Sequence, residues 1–107
     1  MNERANLPWS EQFRVVAKQW CEADGAATLL EDTKSAVLAQ RMAALGDIPV
    51  NRAEQTVKAS AEWLDHVTKI CSARKQASLL KVQMEYLKMK FSEWQSHEAT
   101  QRAERRL

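Results

Sequence analysis

Between Trp63 and Trp94, ten positions recur at heptad spacing. Trp63, Ile70, Ala77, Met84 and Phe91 occupy one repeat position, and His66, Ala73, Leu80, Leu87 and Trp94 occupy the other. Nine of the ten are apolar, and neither Gly nor Pro interrupts the run. A stripe of this length at a mean spacing of 3.5 residues suits a helix lying along another helix, because successive side chains then face the same neighbour. A helix cannot bury such a stripe by itself. The chain is therefore expected to be organised around helix–helix contact.

Length and composition narrow the fold class. At 107 residues the chain is one domain at most. Two Gly and two Pro stand against many Ala, Leu, Lys, Arg, Glu and Gln, a mixture that favours helix, and Val and Ile are too scattered to build a sheet. Hydrophobic residues make up 45%, but so many are Ala that the core should be thin and pairing with other chains the cheaper route to stability. The expected class is all-α: two shorter N-terminal helices packed on one long heptad-bearing helix, as a helical hairpin or coiled-coil-like homo-oligomer whose seam also serves an intersubunit contact.

Punctuation divides the chain further. Residues 1–9 form a lead-in ending in Leu7-Pro8-Trp9-Ser10, with Ser10 a candidate N-cap and Glu11 placed where the helix dipole favours negative charge. Residues 10–45 should hold the two N-terminal helices. Phe13, Val16, Trp20 and Ala23 fall at helical spacing in the first, a break or kink is expected near Gly25, and the second runs from Ala27 to Leu45. Residues 46–50 read as a turn, because Gly46 suits the left-handed position after a helix and Pro49 cannot continue one. Asn51 and Glu54 have capping-box spacing, and nothing obvious stops a helix over 51–103, leaving 104–107 as a basic tail.

Charge is unevenly spread. Residues 1–50 carry five Lys or Arg against seven Asp or Glu, whereas residues 51–107 carry eleven against seven. From Thr68 to Ser92, Lys69, Arg74, Lys75, Lys81, Lys88 and Lys90 are opposed by Glu85 alone. Arg74, Lys81 and Lys88 are seven residues apart, so they form one stripe beside the seam. Such a stripe could track a phosphate backbone and release counterions, or it could be a solvated flank whose Lys stems cover the seam. Tyr86, off the seam among these cations, could stack a base or cover a further helix. Trp63 and Trp94 close the two ends of the seam and should anchor the core or an interface. Arg102, Arg105 and Arg106 suit a helix C-terminus and are secondary candidates for phosphate contact.

Other chemistry has little to stand on. Cys21 and Cys71 lack neighbouring ligands and should behave as small hydrophobes. His66 and His97 lack metal-ligand spacing, and the isolated Gly25 and Gly46 cannot form a phosphate-cradling loop. No cofactor, metal or catalytic residue is expected, and the protein should not be an enzyme. Met1-Asn2-Glu3-Arg4-Ala5-Asn6 contains no apolar signal region and no run of 18 apolar residues occurs, so a soluble, cytoplasmic protein without membrane contact is expected.

Several stretches carry a resemblance. Leu30-Glu31-Asp32, Ala36-Val37-Leu38-Ala39, Arg52-Ala53-Glu54 and Ala59-Ser60 resemble small helical proteins of tailed bacteriophages, as does Phe91-Ser92-Glu93-Trp94-Gln95-Ser96 ahead of the Arg-rich end. The section from Ala61-Glu62-Trp63-Leu64-Asp65-His66 to Phe91 is similar to the helical core of the T4-type recombination mediators, the UvsY family, where a Trp-Leu pair opens a basic heptad helix ending in aromatics. The resemblance implies an oligomer in the host cytoplasm that binds single-stranded DNA and helps load a recombinase. The leading expectation is a non-enzymatic phage DNA-recombination accessory protein whose basic flank holds single-stranded DNA, with Lys69, Arg74, Lys75, Lys81, Tyr86, Lys88 and Lys90 as candidate contacts and a recombinase or another phage protein as partner. The alternative is a structural or adaptor coiled-coil protein, for example in virion assembly, whose basic flank meets the acidic Glu22–Asp32 segment. Small secreted WXG proteins share the length and class, but Trp9, Trp20, Trp63 and Trp94 are followed two residues on by Glu11, Glu22, Asp65 and Ser96, so the defining Trp-x-Gly turn is missing.

Overall fold

A chain this poor in Gly and Pro leaves few places for a helix to stop, and the computed structural model, described over residues 8–106, is helical almost throughout. Its elements are α1 (Trp9–Asp32), α2 (Lys34–Ala43), α3 (Val50–Lys58) and α4 (Ala61–Arg105), with no strand among the described residues. Most of the lead-in, Met1–Leu7, and the terminal Leu107 of the basic tail lie outside the described residues.

The helix boundaries depart from the expected ones at four points. First, α1 starts at Trp9, so Ser10 lies inside the first turn, and the Gln12 amide donates to the Pro8 carbonyl at 2.9 Å. Second, α1 passes straight through Gly25. A Cβ at Gly25 would meet no atom within 4 Å, so this glycine faces open space and costs the helix propensity without ending it. The interruption falls instead at Thr33, although its amide and its hydroxyl both donate to the Leu29 carbonyl, at 3.0 and 2.7 Å, and the Val37 amide donates to the Thr33 carbonyl at 3.0 Å, so the chain direction continues across it. Third, α3 begins at Val50 with Pro49 at the N-cap and no side-chain cap, so Asn51 and Glu54 form no capping box. Fourth, the helix expected over 51–103 is broken at Ala59-Ser60. There the Ser60 hydroxyl donates to the Val57 carbonyl at 2.6 Å and accepts from the Trp63 amide at 3.2 Å, ending α3 and capping α4 with one side chain. The Gly46 turn lies where expected, with φ at +91°, a region L side chains rarely adopt.

The chain separates into two compact units. The first comprises residues up to Glu22 together with those from Ser78 onward. In it, the beginning of α1 packs on the later part of α4, with Val16 and Leu87 buried and Phe13, Trp20, Leu80 and Met84 half-buried. The second unit is Ala23–Ala77. Its core is Ala27, Ala53, Val57, Trp63, Ile70 and Ala77. The Arg41 guanidinium lies 5.9 Å from the Trp63 ring centroid, and the His66 ring lies 5.6 Å from it. Each fully buried Val, Leu or Ile contributes about 1.5–3 kcal/mol, which makes these few residues the main source of each unit's stability.

The seam is therefore covered within the chain over most of its length. Trp63, Ile70, Ala77 and Leu87 are buried, and His66, Ala73, Leu80 and Met84 are half-buried. Its C-terminal end is open: Phe91 is 37% and Trp94 47% exposed, so Trp94 does not anchor a core within the chain as Trp63 does. Cys21 and Cys71 are also exposed free thiols rather than buried hydrophobes.

Candidate nucleic-acid interface

The seven residues proposed from sequence for nucleic acid occupy different environments. Arg74, in the second unit, is committed to its own chain. Its Nη2 and Nε donate to the two Glu31 carboxylate oxygens at 2.6 and 3.0 Å, its Nη1 to Asp24 at 2.7 Å, and its Nη2 also to the Thr28 hydroxyl at 3.1 Å. This is a forked guanidinium–carboxylate pair with a second acid beside it. The hydrogen bond from Arg74 holds the Glu31 carboxyl below its usual range, and the bonds to Glu31 and then Asp24 raise the Arg74 pKa. Two carboxylates on one guanidinium leave the cluster net negative, so Arg74 ties α1 to α4 and offers no free cation.

Lys69 forms an exposed i,i+4 pair with Asp65 at 3.2 Å. Lys75 and Lys81 are exposed and, among the described residues, form no ion pair. Lys90 extends over aromatic faces, its Nζ lying 5.3 Å from the Trp9 ring centroid and 5.9 Å from that of Tyr86. Tyr86 is exposed, and it stands at helical spacing with Val82 and Met89 rather than in the row of Lys81 and Lys88.

The structure brings together a different set in the first unit. Lys81, Lys88, Gln95 and Arg102 follow one another in seven-residue steps along α4, and all four are exposed. Beside this row is the open end of the seam, where the Phe91 and Trp94 rings stack with centroids 6.0 Å apart and an interplanar angle of 25°. Next to Phe91 lies a groove of about 370 Å³ lined by Trp9, Ser10, Phe13, Leu87, Lys88 and Phe91. Heptad position alone marks Phe91 and Trp94 as core, whereas both rings are exposed. The seven-residue step from Lys88 to Gln95 and Arg102 was the signal available for extending the cationic row.

Such an arrangement can hold a polyanion by its charge and offer aromatic faces to flat groups beside it. Among the described residues, no group of three or more His, Cys, Asp or Glu side chains is placed to hold a metal ion. No described helix is long and apolar enough to cross a membrane. Comparison with protein-family models, with curated proteins and with solved structures finds no match.

Proposed function

We propose that this protein is a non-enzymatic accessory factor of the phage DNA-recombination type that binds single-stranded DNA. The reading rests on one observation: the exposed row of Lys81, Lys88 and Arg102 runs beside the exposed, stacked Phe91 and Trp94. Cations that track a backbone, together with aromatic faces on which bases stack, are what sequence-tolerant single-strand binding uses. The resemblance to T4-type recombination mediators agrees with it and would make a recombinase the protein partner and the host cytoplasm the site of action. In this reading Lys75, Lys81, Lys88, Lys90 and Arg102 contact phosphates, Phe91 and Trp94 stack bases, and Arg74 supports the scaffold.

The test is fluorescence anisotropy of a labelled single-stranded oligonucleotide across a salt series. Binding at low salt that falls steeply as salt rises indicates several phosphate contacts. Lys81→Glu with Lys88→Glu should abolish that binding, and Trp94→Ala should weaken it by about 1–3 kcal/mol per stacked base lost. Absence of binding at low salt would overturn the proposal.

A second reading, a structural or adaptor protein without nucleic-acid binding, is favoured by Arg74. The one guanidinium on the predicted basic stripe meets Asp24 and Glu31, so this flank already recognises acidic side chains. On that reading the Lys81→Glu and Lys88→Glu pair would alter the mass of an assembly and have no nucleic-acid binding to affect.

A further inference from the structure

Leu79, Val82, Tyr86 and Met89 form a second stripe on α4, at steps of three, four and three residues. They occupy neither repeat position of the seam, and they are 55–63% exposed. Single exposed hydrophobes are ordinary on a protein surface, but four large ones aligned on one helix mark a contact surface. The ends of the stripe carry opposite charges. Lys75 stands one turn before Leu79 and Glu93 one turn after Met89, both exposed and, among the described residues, without an ion pair.

These six residues are symmetric about position 84. Leu79 and Met89 are equidistant from it, as are Val82 and Tyr86, and as are Lys75 and Glu93. Two copies of the stripe laid antiparallel about that midpoint set Leu79 against Met89 and Val82 against Tyr86. The same register sets Lys75 against Glu93 at both ends. Laid parallel and in register, they would set Lys75 against Lys75 and Glu93 against Glu93, and like charges on facing positions repel. We propose that a second copy of this chain docks antiparallel on this face of α4, centred at residue 84. The contact runs over 19 residues from Lys75 to Glu93, about 27 Å of helix, which is short for a protein interface and makes the dimer reversible. Glu85 flanks the midpoint and meets its own counterpart, which weakens the pair in the same sense. The proposal does not rest on nucleic-acid binding: the row of Lys81, Lys88 and Arg102 lies off this stripe, and Lys75 is shared between the two readings, so Val82→Glu, which leaves every cation in place, separates them.

Sedimentation velocity of the full chain over a range of concentrations tests it. The expected result is a species of two chains that grows with concentration. Val82→Glu should abolish it while leaving helix content unchanged, and thermal unfolding unchanged at concentrations where the natural chain is monomeric, since Val82 faces solvent within one copy. Lys75→Glu and Glu93→Lys should each weaken the dimer by about tenfold, and together they should restore it. In a Cys21→Ser, Cys71→Ser background, Leu79→Cys combined with Met89→Cys should cross-link two chains under oxidation, and neither substitution should do so alone. A monomer at every concentration overturns the proposal. So does a dimer indifferent to Val82→Glu and to both charge changes, or one cross-linked by Leu79→Cys alone, which would report a parallel pair.

Discussion

Three residues show how much a single position decides, two through the backbone and one through charge. Gly25 lies inside α1 with open space where a Cβ would be, so its glycine character serves no packing purpose. Gly25→Ala should therefore stabilise the protein by about 0.5–1 kcal/mol, measured as a shift to higher denaturant midpoint with unchanged slope. Gly46 is the opposite case: at φ +91° an added Cβ strains the turn, and Gly46→Ala should destabilise by about 1–2 kcal/mol in the same experiment. Arg74 is read through pH. Its hydrogen bond keeps Glu31 ionised below the usual value of 4.5, so the folded pKa lies under the unfolded one. The resulting stabilisation is present above that value and is lost as pH falls through the lower folded pKa. Thermal unfolding from pH 7 down to 3 should show a shallower loss in Glu31→Gln than in the natural chain, because the substituted side chain has no carboxylate to protonate.

At the scale of elements, the decisive contrast is between the two faces of α4. The seam holds the buried Ile70, Ala77 and Leu87, whereas Leu79 and Val82 face outward. Leu87→Ala should cost about 2–4 kcal/mol in chemical unfolding, and Leu79→Ala should stay within about 0.5 kcal/mol under conditions where the protein is monomeric. Equal effects would mean that the heptad phase is wrong. The seam, its phase and the turn at Gly46 were legible in the sequence because each rests on a local rule: periodicity for burial, and backbone freedom for the turn. The break at Ala59-Ser60 was not. Its signal is a single serine whose hydroxyl bonds on both sides, to the Val57 carbonyl and from the Trp63 amide, and serine is common inside helices. The interruption near Gly25 was expected because glycine is a poor helix former. One glycine costs only about 1 kcal/mol, however, and the tertiary contacts of the flanking Trp20 and Ala27 outweigh it.

For the whole molecule, the question is which charged and aromatic groups remain available to a partner. Steeply salt-dependent single-strand binding that depends on Lys81 and Lys88 and is unchanged by Lys69→Gln would assign the free row of the first unit as the interface; equal losses from all three would indicate non-specific attraction to net charge. By itself the sequence determined that the chain is helical, where the apolar stripe runs and where cations recur every seven residues. Those properties follow from composition and from the 3.6-residue period of one helix. Only the tertiary structure decided which of those groups are occupied. Arg74 is neutralised by Asp24 and Glu31, which lie more than forty residues away along the chain, and no local pattern encodes that meeting. The exposure of Phe91 and Trp94 is likewise a tertiary outcome, because a heptad marks which side chains seek cover, and only the packed neighbour determines which of them obtain it.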